Sequence, residues 1–74
     1  MKSHRFLIVI EKAKANYSAY SPDLPGCIAT GKTKATAERN MRTAIKMHLA
    51  GMREDGMLLP RASAAAQYVT VRTA

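Results

Sequence analysis

The chain has 74 residues, a formal net charge of +7 and one cysteine. Cys27 alone excludes an intramolecular disulfide, and together with two histidines it supplies too few ligands for a typical structural zinc site. A domain this small has a thin core. We therefore expect residues 1–74 to form one domain that is stabilised by a homodimer, a higher homo-oligomer or a partner protein.

The sequence also indicates in which cellular compartment the protein is found. No segment has the roughly 20 apolar residues that are needed to cross a bilayer. The apolar run at residues 6–10 ends at Glu11 and Lys12 and is too short for a signal peptide. Because the chain also has only a lone thiol, the sequence predicts a cytoplasmic protein without a membrane partner.

Two strands are predicted in the first part of the chain. Residues 5–12 are mainly apolar and β-branched, which favours a strand. Asn16 is a common turn residue, and residues 17–21 contain two tyrosines that favour a second strand. The spacing of the two runs predicts an antiparallel hairpin.

A rigid corner follows the hairpin at residues 21–26, which read SPDLPG. Pro22 and Pro25 each fix a backbone angle and remove an amide donor, so this segment is not helical. We expect the side chain of Leu24 to point inward. Residues 27–31 then predict a third, short strand that ends at Gly31.

One amphipathic helix is predicted over residues 33–55, with Thr33 as its N-cap. Gly56 is suited to end the helix in the left-handed conformation. Gly51, inside the helix, weakens it by about 1 kcal/mol relative to alanine. The apolar residues recur at intervals that place them on one helical face: Ala37, Met41, Ala44, Ile45, Leu49 and Met52.

A fourth strand is predicted after Pro60, within residues 64–73. There Val69 and Val71 alternate with larger or polar residues, which is the period of a strand. The predicted order is β-β-β-α-β. The predicted fold class is therefore α+β, with an antiparallel sheet covered by one amphipathic helix.

Residues 17–33, which read YSAYSPDLPGCIATGKT, resemble the signature of the HicB-like antitoxin family. The helix and its exit through Arg53-Glu54-Asp55-Gly56 and Pro60 resemble the same family, so the likeness spans roughly residues 5–72. The resemblance implies a stand-alone, truncated ribonuclease H-like domain. It also implies a partner, a HicA-type toxin that cleaves messenger RNA and whose active surface the antitoxin masks.

The sequence departs from this family pattern in three ways. Members often carry acidic residues after the helix N-cap, whereas Lys34, Ala35 and Thr36 stand here. Full-length members carry a C-terminal DNA-binding domain, for which residues 1–74 leave no room. A charge of +7 is also high for a protein that faces a basic, RNA-binding toxin.

The titratable residues do not indicate catalysis. A two-metal nuclease site needs a cluster of carboxylates, and the chain has five acidic residues in all. Glu54 and Asp55 are adjacent and cannot share one helix face. Cys27 is interpreted as a small core residue and His48 as a side chain at the edge of the core. We therefore expect no enzyme activity, no metal and no cofactor.

Two sets of residues are candidates for binding. Tyrosines and the corner are suited to a protein interface, although the tyrosines also fit ordinary packing on a sheet. The predicted partner-binding residues are Tyr17, Tyr20, Pro22, Asp23, Leu24, Pro25 and Tyr68.

A second set of basic residues shares the outer face of the helix: Arg39, Arg42, Lys46 and Arg53. They predict either a solvated surface or weak contact with nucleic acid. Three functions thus stay open: an antitoxin, a nucleic-acid-binding module and a homo-oligomeric domain without a toxin.

Overall fold

The computed structural model describes residues 3–74 and contains three strands and one helix. The strands β1 (Val9–Lys12), β2 (Tyr17–Tyr20) and β3 (Ile28–Gly31) precede the helix α1 (Lys34–Glu54). The sheet has the order β1-β2-β3 with both pairs antiparallel. This arrangement confirms the predicted α+β class and the sheet covered by one helix.

The register of the strands divides the sheet into two faces. Ile10, Ala19 and Ala29 lie opposite one another across the three strands, and all three belong to the core or pack against it. Because successive side chains of a strand point to opposite faces, the row formed by Val9, Tyr20 and Ile28 lies on the other face. We call the face turned away from α1 the outer sheet face.

Helix α1 begins and ends as its sequence predicts. The Oγ1 of the N-cap Thr33 accepts a hydrogen bond from the backbone N–H of Thr36 at 3.1 Å. At the other end Gly56 has a φ of +70°. The N–H of Met57 donates to the carbonyl of Met52 at 2.9 Å, which completes a Schellman motif. Both ends are thus satisfied by local bonds.

The core is small and lies between α1 and the sheet. Its buried residues come from β2, the corner, the start of β3 and the helix: Ala19, Leu24, Cys27, Ala37 and Met41. Helix α1 packs mainly over β3 and less over β1. Its backbone comes so close to β3 that a Cβ built on Gly31 would lie 2.8 Å from the carbonyl carbon of Thr36.

The structure differs from the sequence-based prediction at both ends of the chain. The first strand begins at Val9 rather than at residue 5, although Phe6 and Ile8 still pack against the core. The prediction of a fourth strand was wrong for the isolated chain, because residues 57–74 contain neither strand nor helix. A strand exists only where a neighbouring strand accepts its backbone hydrogen bonds. In the single chain, no strand among residues 3–56 pairs with residues 57–74.

Candidate functional site

The corner between β2 and β3 is held by hydrogen bonds on both sides. The N–H of Leu24 donates to the carbonyl of Ser21 at 3.1 Å, and the N–H of Cys27 donates to the carbonyl of Leu24 at 3.1 Å. Gly26 takes a φ of +82°, which a residue with a side chain rarely adopts. These bonds turn Leu24 into the core, where its side chain is 1% exposed.

The carboxylate of Asp23 connects this corner to the segment after the helix. The backbone N–H groups of Ser63 and Ala64 both donate to Oδ2 at 3.2 Å, and the hydroxyl of Ser63 donates to Oδ1 at 3.1 Å. Hydrogen bonds to an ionised acceptor are stronger than neutral ones. The half-buried Asp23 is therefore a structural anchor for residues 63 and 64.

The outer sheet face carries an apolar row beside the corner. Tyr20 pairs with Val9 on one side and with Ile28 on the other. The side chain of Ile28 is 70% exposed, and that of Tyr20 is exposed as well. No residue among 3–74 packs over Ile28. We call the surface formed by Val9, Tyr20, Ile28, Pro22 and Pro25 the corner surface.

The seven residues predicted to bind a partner do not form one surface. Leu24 is part of the core, and Tyr17 lies on the inner sheet face and packs against that core. Tyr20, Pro22 and Pro25 are exposed at the corner. With the half-buried Asp23 between the two prolines, four of the seven thus lie together at the corner.

Tyr68, the last of the seven, lies elsewhere. It is fully exposed on the segment that follows Ala64, beyond the anchor at Asp23. The exposed Ile28 and the half-buried Val9 were not predicted from the sequence as part of a binding surface. Their exposure depends on which residue lies opposite Tyr20, and only the strand register supplies that information.

The basic residues predicted to contact nucleic acid do lie on one exposed face of α1. Arg39, Arg42, Lys46 and Arg53 are all exposed. Arg42 of this face forms a salt bridge with Glu38, in which the Nη2 of Arg42 lies 3.9 Å from the Oε2 of Glu38. Both side chains of the pair are more than half exposed, so the contact adds little stability.

A groove borders this basic face on the side of β1. It has a volume of about 560 Å³ and lies between the residues that precede β1 and the helix. The apolar part of its lining comes from Phe6 and Ile8 on one side and from Ile45 and Leu49 on the helix. The other lining residues are polar or charged, namely His4, Arg5, Glu38, Arg42 and Lys46. The groove is open because α1 lies mainly over β3 and leaves the inner face beside β1 uncovered.

The groups that could carry chemistry are dispersed or buried. Within residues 3–74, no three side chains of the His, Cys, Asp and Glu types come together to hold a metal ion. Cys27 is a buried free thiol, and burial raises its pKa, which lowers the thiolate fraction that a nucleophile requires. His48 is half-buried on the helix.

Within residues 3–74, α1 is the one helix, and it lacks the apolar stretch that a membrane-spanning helix requires.

A family model described as a HicB-like antitoxin of a bacterial toxin-antitoxin system matches residues 6–73. The chain belongs to the HicB-like antitoxin family. This confirms the resemblance seen in the corner sequence and in the helix. The match includes the segment after Pro60, so residues 61–73 are part of the family's domain.

Similar proteins are found in viruses, bacteria and archaea. An uncharacterised 14.9 kDa protein of Haemophilus phage HP1 is 40% identical over 62 residues, which make up 84% of this HicB-like chain and 47% of the phage protein. A UPF0150 protein of Helicobacter pylori is 40% identical over 47 residues, 64% of this chain and 65% of that protein. The chain thus spans about half to two thirds of these two relatives.

Two further comparisons cover more of the relatives' lengths. A UPF0150 protein of Thermoplasma acidophilum is 31% identical over 61 residues, 81% of this chain and 88% of that protein. A solved chain from a complex described as the HicA3 and HicB3 toxin-antitoxin complex matches with a TM-score of 0.65 and 27% identity. That match covers 80% of this HicB-like chain and 72% of the solved chain.

Proposed function

We propose that this HicB-like chain is an antitoxin that binds a HicA-type toxin and blocks the surface with which the toxin cleaves messenger RNA. The observation that carries the proposal is the likeness of its fold, over 80% of the chain, to a chain from a toxin-antitoxin complex. The antitoxin acts by occupying the toxin, so it needs no reaction of its own. Since messenger RNA is the toxin's target, the pair works in the cytoplasm.

The toxin binds at the corner surface in this proposal. Tyr20 and Ile28 present exposed apolar area beside two prolines whose backbones are fixed. Binding at a preformed surface costs little ordering entropy, and tyrosine is enriched at interface centres. Asp23 and Leu24 contribute indirectly. Leu24 packs into the core under the corner, and Asp23 accepts hydrogen bonds from Ser63 and Ala64, so both stabilise the conformation of the corner. Tyr17 supports the sheet from the inner face.

Nucleic acid is a weaker partner in this account. The basic face of α1 is exposed but small, and a single such face gives loose, salt-sensitive binding. It lies on the helix, whereas the outer sheet face is turned away from the helix. The two surfaces can therefore be changed separately, which allows the antitoxin and nucleic-acid functions to be tested with different variants.

The experiment is co-purification of the tagged chain with the product of the short reading frame beside its gene. The HicB-like chain is expected to retain this product through the corner surface. Ile28→Glu is expected to abolish retention, because it places a charge in the apolar row directly beside Tyr20.

Met47→Glu is the matched control. Met47 is 71% exposed and Ile28 is 70% exposed, but Met47 lies on the helix, away from the corner surface. It should leave retention unchanged, and circular dichroism should show both variants folded. Equal loss in the two variants, or no retention by the unmodified chain, would contradict the proposal.

A further inference from the structure

The tail, residues 65–74, has the sequence of a strand but none of the contacts of one. Every residue in it is exposed. Val69 and Val71 are 73% and 74% exposed and alternate with Tyr68, Thr70 and Arg72. An unpaired stretch with this alternation is a ready template for pairing with another strand.

The sheet has two edge strands, β1 and β3, and no further strand among residues 3–74 pairs with either. At β3, the Nδ2 of Asn40 already donates to the carbonyl of Thr30 at 2.8 Å, so one acceptor of that strand is occupied. The edge of β1 lies beside the groove that includes Phe6, Ile8, Ile45 and Leu49. A strand added at β1 would therefore find apolar side chains to pack against, and β1 is the edge better suited to accept one.

The tail does not lie on the β1 edge of its own chain. Asp23 fixes the backbone at Ser63 and Ala64, and from there the tail is exposed at every position. The molecule is 53 Å long but only 28 and 21 Å in its other dimensions, which is the form of a small body with an extended arm. Each chain thus offers an unpaired tail and an unpaired β1 edge.

We propose that two copies of this chain exchange tails, so that residues 66–73 of each copy pair as a fourth strand with β1 of the other. Val69 and Val71 then enter the partner's groove, while Tyr68, Thr70 and Arg72 face outward. A two-fold arrangement pairs both tails with both β1 edges at once, so the exchange closes with two copies. The fourth strand that the sequence predicts is thereby formed between chains.

The exchange is independent of the toxin proposal. It uses the edge of β1 and the groove beside it, and of the corner surface it adjoins Val9 alone, so that Tyr20, Ile28 and the two prolines of each copy stay free. If the chain did not bind a toxin, the tail exchange could still occur. If the chain did not dimerise, the corner surface would still be present. The two ideas are tested with different variants and different readouts.

The test is the mass of the purified 74-residue chain at micromolar concentration by light scattering. The unmodified chain is expected at about twice the 8.1 kDa of one copy. The double variant Val69→Lys, Val71→Lys is expected at the mass of one copy, since it would place two positive charges against Phe6, Ile8, Ile45 and Leu49 in a groove that also contains Arg5, Arg42 and Lys46. Thr70→Lys, between them on the outward side, is the matched control and should remain a dimer.

These substitutions lie on exposed residues that belong neither to the core nor to the residues packed against it, so each variant should keep the circular dichroism of a folded protein. In a mixture of isotope-labelled and unlabelled chains, nuclear Overhauser contacts should join the Val69 and Val71 methyls of one copy to Ile8 and Leu49 of the other. A monomer, a dimer that survives the double variant, or contacts within one chain only would each overturn the proposal.

Discussion

Gly31 is the residue at which the packing of this domain is tightest. A Cβ at this position would meet the backbone of Thr36 and Ala37 in the first turns of α1. Backbone atoms cannot give way as the end of a flexible side chain can. The absence of a side chain at Gly31 therefore sets the distance between β3 and the helix, and with it the depth of the core.

We predict that Gly31→Ala lowers the free energy of unfolding by about 1–3 kcal/mol or more, the usual cost of overpacking a close contact. Such a loss is a large share of the stability of a small domain. Urea denaturation followed by circular dichroism measures it. An unchanged denaturation midpoint would show that β3 and α1 are further apart than described.

Gly51→Ala is the control for this change. Gly51 lies inside α1, and a Cβ there meets nothing within 4 Å. Alanine is favoured over glycine in a helix interior by about 1 kcal/mol, so this variant should raise the midpoint. The same chemical change thus has opposite expected effects at two glycines, for reasons that the structure separates.

At the scale of elements, the features that depend on interactions between residues close in sequence were predicted correctly. Helix α1 begins after Thr33 and ends before Gly56 as predicted, because caps and apolar periodicity are encoded within a few residues. The corner is equally local, since Pro22, Pro25 and Gly26 restrict their own backbones. The inward position of Leu24 was predicted for the same reason.

Features that depend on distant residues were not predictable in the same way. The exposure of Ile28 follows from its register opposite Tyr20, and the anchor between Asp23 and residues 63 and 64 joins segments 40 positions apart. The strand expected near Val69 is not formed in the single chain, since its partner strand is not supplied there. Alternation of apolar and polar residues indicates that a segment can pair as a strand. Whether the strand forms depends on the presence of a partner strand.

The basic face of α1 yields a prediction at this scale. If Arg39, Arg42, Lys46 and Arg53 contact phosphates only as a solvated face, affinity for a random duplex should be micromolar or weaker. Its logarithm should fall with that of the salt concentration with a slope of about −4 for four contacts. Fluorescence anisotropy at low and physiological salt measures both quantities.

The triple variant Arg39→Ala, Arg42→Ala, Lys46→Ala should remove most of this weak binding. Submicromolar affinity that persists at physiological salt, distinguishes between sequences and is lost in the triple variant would favour a dedicated nucleic-acid site. In that case the antitoxin proposal should yield to the nucleic-acid-binding one.

At the scale of the whole molecule, the corner surface is separate from two surfaces that adjoin each other, the basic face of α1 and the groove at the open edge of β1. The corner surface faces away from α1, the basic residues lie along the helix, and the open edge of β1 lies beside the groove. A small domain with a five-residue buried core gains stability when such surfaces are covered. A tail-exchanged dimer would cover the β1 edges and present two corner surfaces, one for each toxin molecule.

The positive charge is consistent with this separation of surfaces. The net charge of +7 would oppose association with a basic toxin if it were concentrated at the contact. The corner surface, however, consists of apolar side chains and prolines, and the clustered basic residues lie on α1. In the proposed complex, repulsion of the whole molecules would slow encounter, especially at low salt, while apolar burial would stabilise the contact itself.

The central claim is that this chain neutralises a ribonuclease toxin by binding it. The most direct measurement is messenger RNA cleavage by the purified product of the neighbouring reading frame, with increasing amounts of the HicB-like chain. We predict that cleavage stops near one chain per toxin, that Met47→Glu inhibits equally well, that Ile28→Glu does not inhibit, and that the chain alone leaves RNA intact. Undiminished cleavage at a molar excess of the folded chain, or cleavage by the chain itself, would contradict the account.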